Sequence, residues 1–208
     1  MAKQDERSRL LALSERDRVF WTQDSVVLAG MDEVGRGPLA GPVVVACVVM
    51  PPEPLIAYVN DSKKVTEKRR EVVYEQILNT CIEAKTAWVD AETIDRINIL
   101  EATKLAFAEA FSKMETPITD VLIDALKGLN ISARQHSLIH GDALSYSIAA
   151  ASIVAKVERD RYMAEQDALY PVYGFQKNKG YGTKQHMDAI AAHGICPLHR
   201  KSFLKKFL

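Results

Sequence analysis

Gly30-Met31-Asp32-Glu33-Val34-Gly35-Arg36-Gly37-Pro38, followed closely by Val43-Val44-Val45-Ala46-Cys47-Val48-Val49-Met50, is the stretch that decides the fold. The apolar run over 26–31 reads as a short strand and the segment 35–42 as a turn. The run over 43–50 reads as a second, buried strand, because valines suit a pleated surface covered on both faces. Gly35-x-Gly37-x-x-Ala40 comes close to a dinucleotide-binding fingerprint. That motif needs a helix directly after the turn, so that phosphate meets a helix N-terminus. Here Pro42 and a valine-rich strand follow instead, which excludes it.

Outward from this pair, the chain alternates helical and extended patterns. Residues 6–21 read as a short helix with Leu10, Leu13 and Phe20 on one side, a preface (1–25) packed against the body. Thr66 is placed to cap a helix running to about Asn79. A third strand is expected over 85–90, a long helix over 92–114, a fourth strand over 120–123 and a fifth over 137–139. A helix over 143–169 follows, nearly all small or apolar at 148–155 and so buried on most sides. A shorter helix follows Thr183. The fold class is therefore α/β, a mixed five-stranded central sheet flanked by helices. Residues 26–208 form the body, with a basic, helical C-terminal extension from about 171.

Net charge is zero, yet unevenly distributed. From Pro171 onward Lys177, Lys179, Lys184, Arg200, Lys201, Lys205 and Lys206 face Asp188 alone, so the first 170 residues are acidic. Such a tail either holds a polyanion or is simply a solvated end. Cys47, Cys81 and Cys196 are odd in number and far apart, which indicates neither a disulfide framework nor a zinc cluster, and points to a reducing, cytoplasmic setting. The polar start is unlike a secretory signal, and the longest apolar run is too short to span a bilayer, so no membrane role is expected.

Candidate chemistry centres on carboxylates. Asp32 and Glu33 stand at the end of an apolar strand, where buried acids need a partner. They read either as ligands for a hard cation, Mg²⁺ or Mn²⁺, or as ordinary acids of a surface loop. Successive strand residues face opposite sides, so both reach one site only if the strand ends or bends between them. Asp124 ends the fourth strand and alone would be a turn former; Asp142 precedes the buried helix and alone would be its N-cap. In combination the four could share one sheet edge, where their repulsion would require cations, two of them sufficing. The turn Gly35-Arg36-Gly37 could bring backbone N–H groups close to a sugar or phosphate, or be a bare tight turn. Lys63 and Lys64 open a basic patch that either touches phosphate or lies solvated. Tyr181, between glycines in a basic loop, either stacks on a base or sugar or caps the core. Lys156 and Asp160 are spaced for a local ion pair, and the histidines show no metal-ligand spacing.

Taken together, Asp32-Glu33-Val34-Gly35-Arg36-Gly37-Pro38, Asn60-Asp61-Ser62-Lys63-Lys64, Val121-Leu122-Ile123-Asp124, Gly141-Asp142, the run from Ala149 to Asp160, and Lys179-Gly180-Tyr181-Gly182-Thr183 closely resemble the bacterial ribonuclease HII family over about residues 26–203. The resemblance implies a ribonuclease H-like fold. It implies endonucleolytic cleavage of RNA in RNA–DNA hybrids and incision 5′ to single ribonucleotides in duplex DNA, leaving 3′-hydroxyl and 5′-phosphate ends. It implies that Asp32, Glu33, Asp124 and Asp142 bind two Mg²⁺ or Mn²⁺ ions. Gly35, Arg36 and Gly37 would read the ribose 2′-hydroxyl, Tyr181 would stack beside the junction, and Lys63 would touch the nucleic-acid backbone. A monomer acting on hybrids and on ribonucleotide-containing duplex DNA follows. Two departures stand out: Ala125 where a glycine commonly follows the aspartate, and His140 where a lysine often precedes Gly141-Asp142. The rival readings are a DNA nuclease of the same fold, resolvase-like, and a non-catalytic nucleic-acid-binding protein.

Overall fold

Five strands form one sheet in the computed structural model, which describes residues 3–205; Lys206, counted above in the basic tail, lies outside them. They are β1 (Leu28–Val34), β2 (Val43–Val49), β3 (Glu83–Val89), β4 (Asp120–Asp124) and β5 (Arg134–Leu138), in the order β3-β2-β1-β4-β5. β1 and β3 each pair antiparallel with β2, whereas β4 runs parallel to both β1 and β5. The expected mixed sheet is thus present. The helices are α1 (Lys3–Leu13), α2 (Glu15–Trp21), α3 (Glu67–Thr80), α4 (Ala91–Ile97), α5 (Ile99–Ser112), α6 (Tyr146–Leu169), α7 (Phe175–Asn178), α8 (Lys184–His193) and α9 (Lys201–Leu204). Among the described residues no helix is long and apolar enough to cross a membrane.

Strand alternation sorts side chains onto two faces. Ala29, Met31, Val43, Val45, Cys47, Val121 and Ile123 pack with Ala102, Ala106 and Phe107 of α5. On the other face Val44, Ala46 and Val48 pack with Ala150, Ile153 and Val154 of α6, with α3 and with Leu10 and Leu13 of α1. Every residue of β2 is buried, and each buried valine contributes roughly 1.5–3 kcal/mol. A Cβ on Gly30 would stand 2.1 Å from the Ser147 carbonyl carbon, so only glycine lets α6 lie directly on β1.

Several boundaries differ from the sequence reading. β1 continues through the acid pair to Val34, which is paired with Val44. The helix expected over 92–114 breaks at Asn98, whose φ is 68° and whose Oδ1 accepts the N–H groups of Leu100 and Glu101 at 2.9 and 3.1 Å, starting α5 afresh. The preface is two helices parted at Ser14. Thr66 sits at the N-cap of α3 without a capping side-chain hydrogen bond. The fifth strand lies earlier than expected, and α6 starts at Tyr146, capped by Ser145, whose Oγ accepts the Ile148 N–H at 3.2 Å.

Candidate active site

Asp32 and Asp124 come together because β1 and β4 are parallel neighbours. Their register ends at Met31↔Ile123, so the next residue of each strand is an aspartate, at the same sheet edge and on the same face, the one covered by α6. β4 then turns away, and the last residues of β1 run past its end. Asp124 Oδ1 accepts the Gly141 N–H at 2.8 Å, which ties the 3-10 turn 141–143 to the strand end and brings Asp142 in. A Cβ on Gly141 would meet the end of the Ile148 side chain at 2.6 Å, so glycine lets the turn lie against the strand end without displacing Ile148. Asp142 is therefore buried in the turn before α6 and is not the helix cap that its position alone implied.

Glu33 stands apart. Because β1 neither ends nor bends between Asp32 and Glu33, the Glu33 side chain starts from the opposite face of the sheet. It hydrogen-bonds Arg36 at 3.3 Å and shares the field of Asp124 across the open edge.

Two groups that the sequence reading did not single out complete the acidic rim. Asp61 is buried, accepts the Lys63 N–H at 2.9 Å, and its carboxyl group meets that of Asp142. Ser152, a lone hydroxyl in the apolar part of α6, shares a hydrogen bond with the Ser62 hydroxyl at 3.0 Å and opposes part of the upward push on the Asp32 carboxyl group. A hydroxyl in so apolar a stretch needs a buried partner, and that was the available signal.

The electrostatics record the crowding. Burial, then Glu33 and Asp124, push Asp32 well above the usual carboxylate range. Burial and Asp124 raise Glu33 to about 7 against the opposing pull of Arg36. Asp142 is raised by burial and by Asp61 and Asp124. Lys63 is opposed by burial but raised by Asp61, Asp142, Asp32 and Asp124, which places its ammonium in the field of the rim. Buried like charges are costly without compensation. No three His, Cys, Asp or Glu side chains among the described residues form a ready-made metal cage. The donors are all hard oxygens, and Mg²⁺ binds through one or two carboxylates while keeping several waters. The set fits a hydrated hard cation held at a rim, not one enclosed by protein.

Beside the rim lies the glycine-rich turn. Gly35 has φ 94°, and a Cβ there would strike the Arg159 Nε at 2.4 Å, so its glycine is a packing need. Gly37 differs: its nearest neighbour would be the Tyr181 ring at 3.9 Å, so the fold leaves its outer side open. The ring of Tyr181 is 44% exposed and does not cap the core. Gly37 and Tyr181 make one surface, bound together where Gly180 O accepts the N–H groups of Leu39 and Ala40 at 2.8 and 3.2 Å. The expected Lys156–Asp160 pair is present at 2.7 Å and is extended by Arg70 at 3.2 Å.

Comparison with known proteins gives the family and the fold. The family profile described as ribonuclease HII matches residues 29–206. The ribonuclease HII of Ruminiclostridium cellulolyticum is 48% identical over 203 residues, covering 98% of this chain and 80% of that protein. The ribonuclease HII of Acetivibrio thermocellus is 48% identical over 204 residues, covering 98% and 79%. Among solved structures, ribonuclease H2 from Pyrococcus horikoshii OT3 superposes with a TM-score of 0.70 at 25% identity, covering 84% of this chain and 92% of that one. The RNase HII of Archaeoglobus fulgidus, solved in complex with PCNA, gives 0.72 at 27% identity, covering 87% and 95%.

Proposed function

The chain belongs to the ribonuclease HII family and is an endoribonuclease acting on RNA–DNA hybrids, and on that premise we propose how its own residues do the work. The carrying observation is the parallel register that sets Asp32 beside Asp124, with Asp142 tied in through Gly141, so that the Asp124 charge acts on both of the others. These three, with Glu33 from across the edge, are the groups that would hold Mg²⁺ or Mn²⁺, two ions during turnover. When bound, such ions supply a more acidic water and offset charge on the departing oxygen.

The other groups bind and orient. Lys63 meets a phosphate of the strand that lies over the rim. The open side of Gly37 admits the sugar, and the N–H groups of the turn read its 2′-hydroxyl, which is both donor and acceptor. Tyr181 stacks beside the junction. The reading extends to incision 5′ to a single embedded ribonucleotide, giving 3′-hydroxyl and 5′-phosphate ends, by a monomer working on ribonucleotide removal in the cytoplasm.

Asp124→Asn tests the core of it. The amide still accepts the Gly141 N–H, so the fold and hybrid binding are kept while cleavage drops by at least about 100-fold, the low end of losses for groups acting in the transition state. Paired binding and cleavage assays in Mg²⁺ decide. Wild-type cleavage by that variant would defeat the assignment.

A further inference from the structure

Arg159 and Arg200 are both 0% exposed, and neither is salt-bridged to a carboxylate among the described residues. A buried guanidinium without a counter-ion is expensive, and burial lowers both, Arg200 to about 9. Their donors go instead to seven hydrogen bonds on main-chain carbonyls. Arg159 donates to Pro42 O at 2.9 Å, Ala40 O at 3.1 Å and Lys179 O at 2.9 Å. Arg200 donates to Gly35 O at 2.6 Å, Arg36 O at 3.0 Å, and twice to Gly41 O at 2.7 and 2.9 Å.

We propose that Arg159 and Arg200 are positioning residues for ribose recognition: they draw the carbonyls of the glycine-rich turn inward and leave its amides facing the substrate. No acceptor among the described residues takes the N–H of Arg36 or of Gly37. Successive free amides backed by two buried positive charges make a preorganised donor surface for a hydroxyl or a phosphate oxygen. Arg159 also holds Lys179 O, so a single planar fork sets the spacing between the turn and the loop that carries Tyr181. Lysine has the charge but not the fork, and cannot hold several carbonyls in fixed directions. The inference rests on the reading that this turn recognises the ribose.

Equilibrium binding without divalent metal separates the two ideas, because nothing is cut. A labelled duplex with one embedded ribonucleotide is compared with the same duplex in all-DNA form. Wild type prefers the ribonucleotide duplex. R159K and R200K, shown folded by thermal melting, lose that preference by about tenfold, the scale of one desolvated hydrogen bond left unmade, while all-DNA affinity stays within about twofold. A wild type without preference sinks the reading of the turn and the inference with it. Folded variants that keep the preference sink the inference alone. Should neither variant fold, amide exchange in wild type decides. Arg36 and Gly37 N–H protected by the ribonucleotide duplex and not by all-DNA support the assignment; equal protection by both overturns it.

Discussion

Ala125 follows Asp124 with φ 48°, and His140 precedes Gly141-Asp142 with φ 58°, so one left-handed residue adjoins a rim aspartate and another stands two residues before a second. The conformation costs a residue with a Cβ about 1–2 kcal/mol, which gives a physical meaning to the glycine that commonly occupies the position after the aspartate. The Ala125 N–H donates to Leu138 O at 2.8 Å, holding the turn despite its strain. Ala125 is exposed, so its methyl group contributes little packing. Ala125→Gly should therefore raise stability by about 1 kcal/mol, relief of the strain being partly offset by the freer unfolded chain. Thermal melting should show a rise of roughly 2–4 °C for a chain of this size. An unchanged or lower midpoint would mean that the turn carries no recoverable strain.

At the scale of elements, α6 and the two preface helices depend on each other. Asp17 of α2 is fully buried at the start of α6, its Oδ1 accepting the Ser147 N–H at 2.8 Å and the Ser145 hydroxyl at 3.1 Å, its Oδ2 the Tyr146 N–H at 3.0 Å. The first turn of a helix has free N–H groups and a positive dipole end, so a carboxylate from elsewhere in the chain is an effective cap. Asp17→Ala leaves two buried amides unpaired and should cost on the order of 3 kcal/mol, with Asp17→Asn costing less; denaturant unfolding of both variants measures it. A loss under about 1 kcal/mol for the alanine variant would show that α6 does not need the preface. This contact joins residues 128 or more positions apart, and no local pattern in the chain could reveal it. The sheet was legible because β2 is a continuous valine run and β1 ends in acids. The break at Asn98 was not, because Ile94, Ile97 and Leu105 keep a helical period across it and only the asparagine's φ interrupts the backbone. Asp32, Asp124 and Asp142 were legible as a group from the ordered motifs. Glu33's opposite facing was hidden in whether β1 stopped before it, which depends on pairing with Val45.

Across the whole molecule, the sheet brings repelling carboxylates to one rim, and that arrangement is held against its own electrostatics by the core beneath. Asp32 carries the largest share: it is 6% exposed, and burial, Glu33 and Asp124 all disfavour its charge, with the Ser152 hydroxyl and the Glu33 N–H at 2.8 Å opposing them. Asn in its place keeps the shape and can still accept from the Glu33 N–H, but removes one like charge. Without divalent metal, Asp32→Asn should therefore be more stable than wild type by about 1–2 kcal/mol, the usual return for relieving a strained functional site. Adding Mg²⁺ stabilises the folded form according to its affinity for that form, so it should raise the wild-type melting temperature more than that of Asp32→Asn and narrow the gap between them. Melting curves of both proteins in chelator and in a Mg²⁺ series measure this without any reference to cleavage. Equal stability in chelator would show that the rim is not repulsive, and an equal response to Mg²⁺ would remove Asp32 from the cation-binding set.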